Sequence, residues 1–222
     1  MPAQRELRIL CLHGSVTNAT VMSLQTSGFV QAFGDDAEFF EVDAPHLANR
    51  PPSEDILELF GDEEEYFEWW HSQDDSNSYD GHEKSIDYLQ RYIANEGPFD
   101  AIIGFSQGAM MATVLTAHYL HQEKAVPYKA VILVSGMWPE DGMSVVPVNP
   151  DSGKQELDFP SFHVLGEQDF MYEDSKVQVE HYADSSRHVY THAGGHRFPE
   201  LPAHRDIYDS IVQHLKALCQ DI

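Results

Sequence analysis

Several of the strand-length runs in this sequence are apolar at consecutive positions instead of at every second one. The runs are "LRILCLHG" (7–14), "AEFFEVDAP" (37–45), "FDAIIGFS" (99–106), "KAVILVSG" (129–136), "FPSFHVLG" (159–166) and "RHVYTHAGG" (187–195). A strand that is apolar on both faces must be covered on both, as in a parallel sheet held between helix layers. Segments of helical period separate the runs. In "GHEKSIDYLQRYIANEGP", Ile86, Leu89 and Ile93 form one apolar stripe, and Gly97-Pro98 supplies a stop. Ile207, Ile211, Leu215 and Leu218 repeat that spacing near the C-terminus. The alternation predicts an α/β chain: a doubly wound, mostly parallel sheet with helices on both faces. Right-handed crossovers then gather the loops that follow the strands along one edge, where such folds bind ligands.

At 222 residues the chain suits one domain, 1–222, with a large core. Two stretches interrupt the alternation and are expected to be insertions: residues 46–80, with an acidic run and the aromatics Tyr66, Phe67, Trp69 and Trp70, and residues 137–158, with three prolines. The charge is strongly acidic, 37 Asp+Glu against 13 Lys+Arg, formally −24. Nucleic acid and anionic membrane both require clustered cations, so neither is an expected partner. No run approaches the roughly 20 apolar residues of a membrane span, and "MPAQRELRILCLHG" reads as the first strand, not a leader. Cys11 and Cys219 read as idle thiols in a reducing compartment. These features place the protein in the cytoplasm as an expectation.

One of the apolar runs ends abruptly. In "FDAIIGFSQGAMMATVL" (99–115) it stops at Gly104-Phe105-Ser106-Gln107-Gly108 and continues at once as a helix-like pattern. Strand, G-x-S-x-G and helix together present one hydroxyl at the tip of a sharp bend, with glycines where side chains would collide with neighbouring strand or helix. The helix N-terminus then faces the place where negative charge develops in acyl transfer. Such a serine needs a base, and the base an orienting acid, in the chain order Ser, Asp/Glu, His. "FHVLGEQDFMY" places Asp169 just past a strand, and "THAGGHRFP" places His196 past the last one. Asp158 precedes its strand and Asp174 belongs to the following helix, so position favours Asp169. Among 13 histidines, His192 belongs to a strand end, and His118 and His121 read as helix-surface residues, not metal ligands. No metal or organic cofactor is expected. The oxyanion hole requires two amides: Gln107 supplies one, and Ser15, with Val16 next, supplies the other from "LCLHGSVTN".

The ordered set "LRILCLHG", "VDAP", "GPFDAIIGFSQGA", "LVSG", "HVLGEQD" and "HAGGHRFP" resembles the fungal FSH family of serine hydrolases, from about residue 7 to about residue 215. The resemblance implies an α/β-hydrolase core with a lid-like insertion and Ser106, Asp169 and His196 as its triad. It departs from many relatives in the small Ser15 after His13-Gly14. It implies hydrolysis of an acyl thioester or ester. Foremost is release of a polyketide chain from the acyl carrier domain of a fungal polyketide synthase; short-chain carboxylesterase action of general metabolism is the alternative.

The aromatic insertion is expected either to contact substrate through Trp69, Trp70 and Tyr79 or to anchor itself on the core through the same residues. The charge of −24 opposes an acidic carrier protein unless cations such as Arg197 and Arg205 cluster at the site. A hydrolase fold that binds without turnover would show a lost triad residue, and none is lost.

Overall fold

A computed structural model of the chain describes residues 5–71, 79–139, 153 and 155–220. Six strands form one sheet: β1 (Leu7–Leu12), β2 (Ala37–Val42), β5 (Ala101–Phe105), β6 (Ala130–Val134), β7 (Ser161–Gly166) and β8 (Arg187–His192). They lie in the order β2-β1-β5-β6-β7-β8, and every neighbouring pair is parallel. The sheet is thus parallel throughout, and all six predicted strands are present. Every residue of β5, β6 and β7 is buried, whereas the edge strands β2 and β8 are partly exposed.

Two cores follow from the period-two alternation of these strands. Leu10, Leu12, Ile102, Val131 and Leu133 point to one face and meet helices α4 (His82–Glu96) and α5 (Gln107–His121). Leu7, Ile9, Cys11, Ile103 and Ile132 point to the other, against α2 (Ser27–Phe33) and α7 (Arg205–Gln220). In α4 the buried residues include the expected Ile86, Leu89 and Ile93, and Gly97 N closes the helix on Ile93 O at 3.0 Å. In α7, Ile207, Ile211 and Leu215 are buried, but Leu218 is 38 % exposed because the helix runs past the end of the core. Helix α5 is apolar nearly all round, as a helix packed on all sides must be. Helices α1 (Ala19–Gln25) and α6 (Tyr172–Glu180) complete the layers around the sheet.

The first insertion folds as a small unit of its own. Strands β3 (His46–Leu47) and β4 (Phe67–Glu68) pair antiparallel, with helix α3 (Glu54–Phe60) between them. Reciprocal bonds between Thr17 and Phe67, at 2.8 and 3.3 Å, fasten this unit to the loop after β1. Most of the second expected insertion, at 140–152 and 154, lies outside the described residues, as do residues 72–78 of the first. Among the described residues no helix is long and apolar enough to cross a membrane. Cys11 and Cys219 are both free thiols.

The strand order determines where the site lies. From β1 the chain steps outward to β2, then crosses to the opposite side of β1 to continue with β5. The direction of winding therefore reverses between β1 and β5, and a crevice opens beyond their C-terminal ends. Leu12 pairs with Gly104 there, so the His13–Asn18 loop and Ser106 emerge side by side.

Candidate active site

Ser106 sits between β5 and α5 with φ 52° and ψ −118°, a left-handed conformation that non-glycine residues seldom adopt. Its N–H donates to Val134 O at 2.9 Å, and its carbonyl accepts from Ala109 N at 3.0 Å and Met110 N at 3.1 Å. The flanking glycines are required by close approach, as the motif implies. A methyl group on Gly104 would be driven into the Gly108 carbonyl, and one on Gly108 into the Leu12 carbonyl.

Asp169 lies in the turn after β7, with its side chain 1 % exposed. Its carboxylate receives His196 Nδ1 at 2.9 Å (Oδ2) and 3.1 Å (Oδ1), and Oδ1 also accepts from Met171 N at 2.9 Å. With Nδ1 committed to Asp169, Nε2 is the nitrogen left to handle a hydroxyl proton. The imidazole lies 4.9 Å, ring to ring, from Phe105, the residue before Ser106. The structure therefore brings the loops after β5, β7 and β8 together at the edge where the sequence places them. Among the described residues no hydrogen bond joins Ser106 to His196, and such bonds often tighten only when substrate is bound. The competing residues lie elsewhere. His192 ends β8 and is 3 % exposed, Asp158 precedes β7, and Asp174 belongs to α6. Among the described residues no group of histidine, cysteine and carboxylate side chains is arranged to hold a metal ion.

The two candidate oxyanion donors belong to segments that adjoin Ser106. Gln107 begins α5, whose first amides have no intrahelical acceptor. A methyl group on Gly14 would stand 3.5 Å from Ser106 Cβ, which puts the adjacent Ser15 amide within a residue of the nucleophile. Val16, with φ 54°, turns the loop back toward the insertion.

A buried polar network clamps this region, and the sequence offers little sign of it. The Gln107 side chain, 4 % exposed, accepts from Trp69 N at 2.8 Å and donates to Trp70 O at 3.0 Å. Trp69 Nε1 donates to His13 O at 2.9 Å. His13 is fully buried; its Nε2 accepts from Ala44 N at 3.0 Å, which places the proton on Nδ1, toward Gly14 O at 2.7 Å and Thr17 Oγ1 at 3.1 Å. Burial lowers the His13 pKa to about 4, so the ring is a neutral strut at physiological pH. Trp69 is 0 % and Trp70 2 % exposed, and the ring of Trp70 lies 5.1 Å from that of Tyr79, tilted by 52°. Their burial supports the anchoring role for the two tryptophans. Beside them Glu68, 1 % exposed, accepts from His71 Nδ1 at 2.5 Å and from Ser15 Oγ at 3.4 Å.

A profile of the FSH1 serine hydrolase family matches residues 1–208. Esterase FPY3 of Fusarium mangiferae is 29 % identical, with 88 % of this chain and 90 % of the relative covered. Esterase OVCA2 of Homo sapiens is 29 % identical, over 94 % of this chain and 96 % of the relative. The dihydromonacolin L-[lovastatin nonaketide synthase] thioesterase of Aspergillus terreus is 28 % identical over 95 % of this chain and 91 % of its own. Among solved structures, esterase PE8 superposes with a TM-score of 0.66 at 20 % identity, covering 98 % of this chain and 96 % of its own. A carboxylesterase from Mesorhizobium loti gives 0.60 at 17 % identity, over 95 % of this chain and 88 % of its own. These likenesses and the parallel six-stranded sheet make the fold that of an α/β hydrolase. With a family match running from the first strand into the last helix, the chain belongs to the FSH1 family of serine hydrolases and is an enzyme of the hydrolase class.

Proposed function

We propose that the protein hydrolyses acyl esters through an acyl-enzyme, with Ser106 as nucleophile, His196 as general base and acid, and Asp169 as the carboxylate that orients the imidazole. The observation that carries this reading is the buried Asp169 carboxylate holding His196 Nδ1 at 2.9 Å beside a serine held at φ 52°. His196 Nε2 takes the hydroxyl proton as Ser106 Oγ attacks the acyl carbon, and passes it to the departing oxygen or sulfur. The amides of Gln107 and Ser15 meet the developing oxyanion, each contributing roughly 3–4 kcal/mol in sites of this kind. Water then attacks the acyl-enzyme by the reverse route. No step calls for a metal or an organic cofactor. The esterase names of the Fusarium and human relatives support an ester substrate.

A second reading is favoured by the likeness to the Aspergillus thioesterase: release of a polyketide chain from a synthase carrier domain. Charge weighs against it. The protein carries a formal −24, and the arginines around the site already face carboxylates: Arg197 pairs with Glu200 at 2.7 Å and Arg205 with Asp209 at 2.8 Å, while Arg50, which donates to Ser15 Oγ at 3.0 Å, lies 3.9 Å from Glu68. A small acyl ester or thioester in solution meets no such repulsion.

The deciding experiment is hydrolysis of matched oxoesters and thioesters over a range of acyl lengths, wild type beside Ser106→Ala. Ser106→Ala is expected to lower kcat by a factor on the order of 10^6 and to abolish fluorophosphonate labelling. Labelling that survives the substitution removes Ser106 from the mechanism. A clear preference for long thioesters promotes the second reading; a preference for oxoesters retires it.

A further inference from the structure

One side chain beside the site has no part in the chemistry so far described. Phe170 follows Asp169 directly and is 81 % exposed, although it is a phenylalanine. Its ring centroid lies 4.9 Å from that of His196, with the planes tilted by 42°. The turn that carries it is tied on both sides. Asp169 N donates to Gly166 O at 3.0 Å, Tyr172 N to Asp169 O at 3.0 Å, and Met171 N to Asp169 Oδ1 at 2.9 Å. The backbone thus holds the phenyl ring out at the catalytic imidazole, and the fold gains little by it.

The geometry of acyl transfer says what such a ring would meet. The Ser106 Oγ–acyl carbon bond forms, the bond from that carbon to the leaving oxygen or sulfur breaks, and the proton taken by His196 Nε2 passes to the leaving atom. The leaving atom must therefore come within about 2.6–3.2 Å of Nε2. Whatever that atom carries is set down beside the imidazole, where Phe170 stands. The acyl chain is under no such constraint, since its carbonyl oxygen is directed to the amides of Gln107 and Ser15.

We propose that Phe170 forms the leaving-group subsite and that the enzyme favours esters or thioesters whose alcohol or thiol is apolar over its first few atoms. The proposal rests on the Ser106–His196–Asp169 reading. An apolar leaving group packed on the ring removes surface of both from water, and each methylene seated there changes kcat/KM by about fourfold.

The test uses butyrate esters of methanol, butanol and benzyl alcohol and the butyryl thioester of N-acetylcysteamine. A second series holds methanol constant and lengthens the acyl chain. Wild type, Phe170→Ala, Phe170→Leu and Ser106→Ala are compared. All butyrates give the same acyl-enzyme, so differences in kcat/KM report the leaving group alone. The exposed ring can be removed without a packing penalty. Phe170→Ala is expected to lower the benzyl-to-methyl ratio of kcat/KM about tenfold, and Phe170→Leu to restore most of the butyl-to-methyl ratio. The dependence on acyl length is expected to keep its shape.

An unchanged leaving-group ratio in Phe170→Ala, with Ser106→Ala inactive, overturns the subsite and leaves the catalytic reading standing. The same holds for an equal loss on every ester and thioester, or for a changed acyl-length profile. Hydrolysis that persists in Ser106→Ala overturns the catalytic reading and the subsite with it.

Discussion

Ser106 occupies a backbone conformation of the kind that costs about 1–3 kcal/mol, and three backbone hydrogen bonds, one from its N–H and two to its carbonyl, hold it there. The glycines of the motif let β1, β5 and α5 come this close, so they carry a structural burden that can be measured apart from catalysis. Gly108→Ala forces a methyl group against the Leu12 carbonyl, and is expected to cost about 3 kcal/mol by urea unfolding. A midpoint within error of wild type would show that the helix can slide away from β1. Asp169→Asn keeps the shape of the carboxylate and removes its charge and its certainty as an acceptor. Its kcat on a short ester is expected to fall about 10^4-fold with the fold intact. A loss of less than tenfold would mean that Asp169 is not the orienting acid. At this scale the triad candidates were legible because each follows a strand. The bonds of the Gln107 side chain to Trp69 N and Trp70 O, and of Trp69 Nε1 to His13 O, were not, because they join residues far apart in sequence through backbone groups that no local pattern marks.

At the scale of elements, the insertion between β2 and α4 is held to the sheet edge by polar anchoring and by two buried indoles. Trp69 and Trp70 read equally well in the sequence as a substrate wall or as a plug, because an aromatic pair carries no record of which way it faces. Their burial supports the plug, with Trp69 N and Trp70 O both spoken for by Gln107. Trp70→Ala is therefore expected to lower stability by about 3–5 kcal/mol while leaving the dependence on acyl length unchanged. A shifted chain-length profile without loss of stability would return Trp70 to the substrate pocket. Helices α4 and α7 were readable from their stripes, and α5 was not amphipathic because core surrounds it on all sides.

For the whole molecule, two of the three buried histidines, His13 and His163, are held furthest below their ordinary pKa and shape the response to acid. Burial holds His13 near a pKa of about 4 and His163 near about 3, against an ordinary value of 6.5. Above pH 6.5 both are neutral folded or unfolded and add no pH dependence. As pH falls below 6.5 the unfolded chain binds protons that the folded one refuses, so stability drops by about 1.4 kcal/mol per unit for each ring. The loss continues to about pH 4 for His13 and about pH 3 for His163. Urea midpoints measured from pH 7 to pH 5 are expected to fall as the pH drops, and His163→Gln to make that fall shallower. A flat profile in wild type would show that neither ring is held neutral. The net charge of −24 makes a separate forecast. Activity on any acidic carrier-bound substrate is expected to rise with ionic strength as repulsion is screened, while a neutral ester shows no such trend.

What the sequence determined by itself was the sheet, its parallel sense, the place of the bend at Ser106 and the order of the three polar residues that follow strands. Each is written in short-range pattern: consecutive apolar residues, glycines at a turn, a carboxylate or imidazole just past a strand end. Only the tertiary structure decided that Asp169 is buried on His196 Nδ1, that Gln107 reaches back to the insertion, that Trp69 and Trp70 are core, and that Phe170 stands exposed over the imidazole. Those outcomes depend on which strand lies next to which and on which way a side chain faces once the layers close, and chain-local periodicity encodes neither.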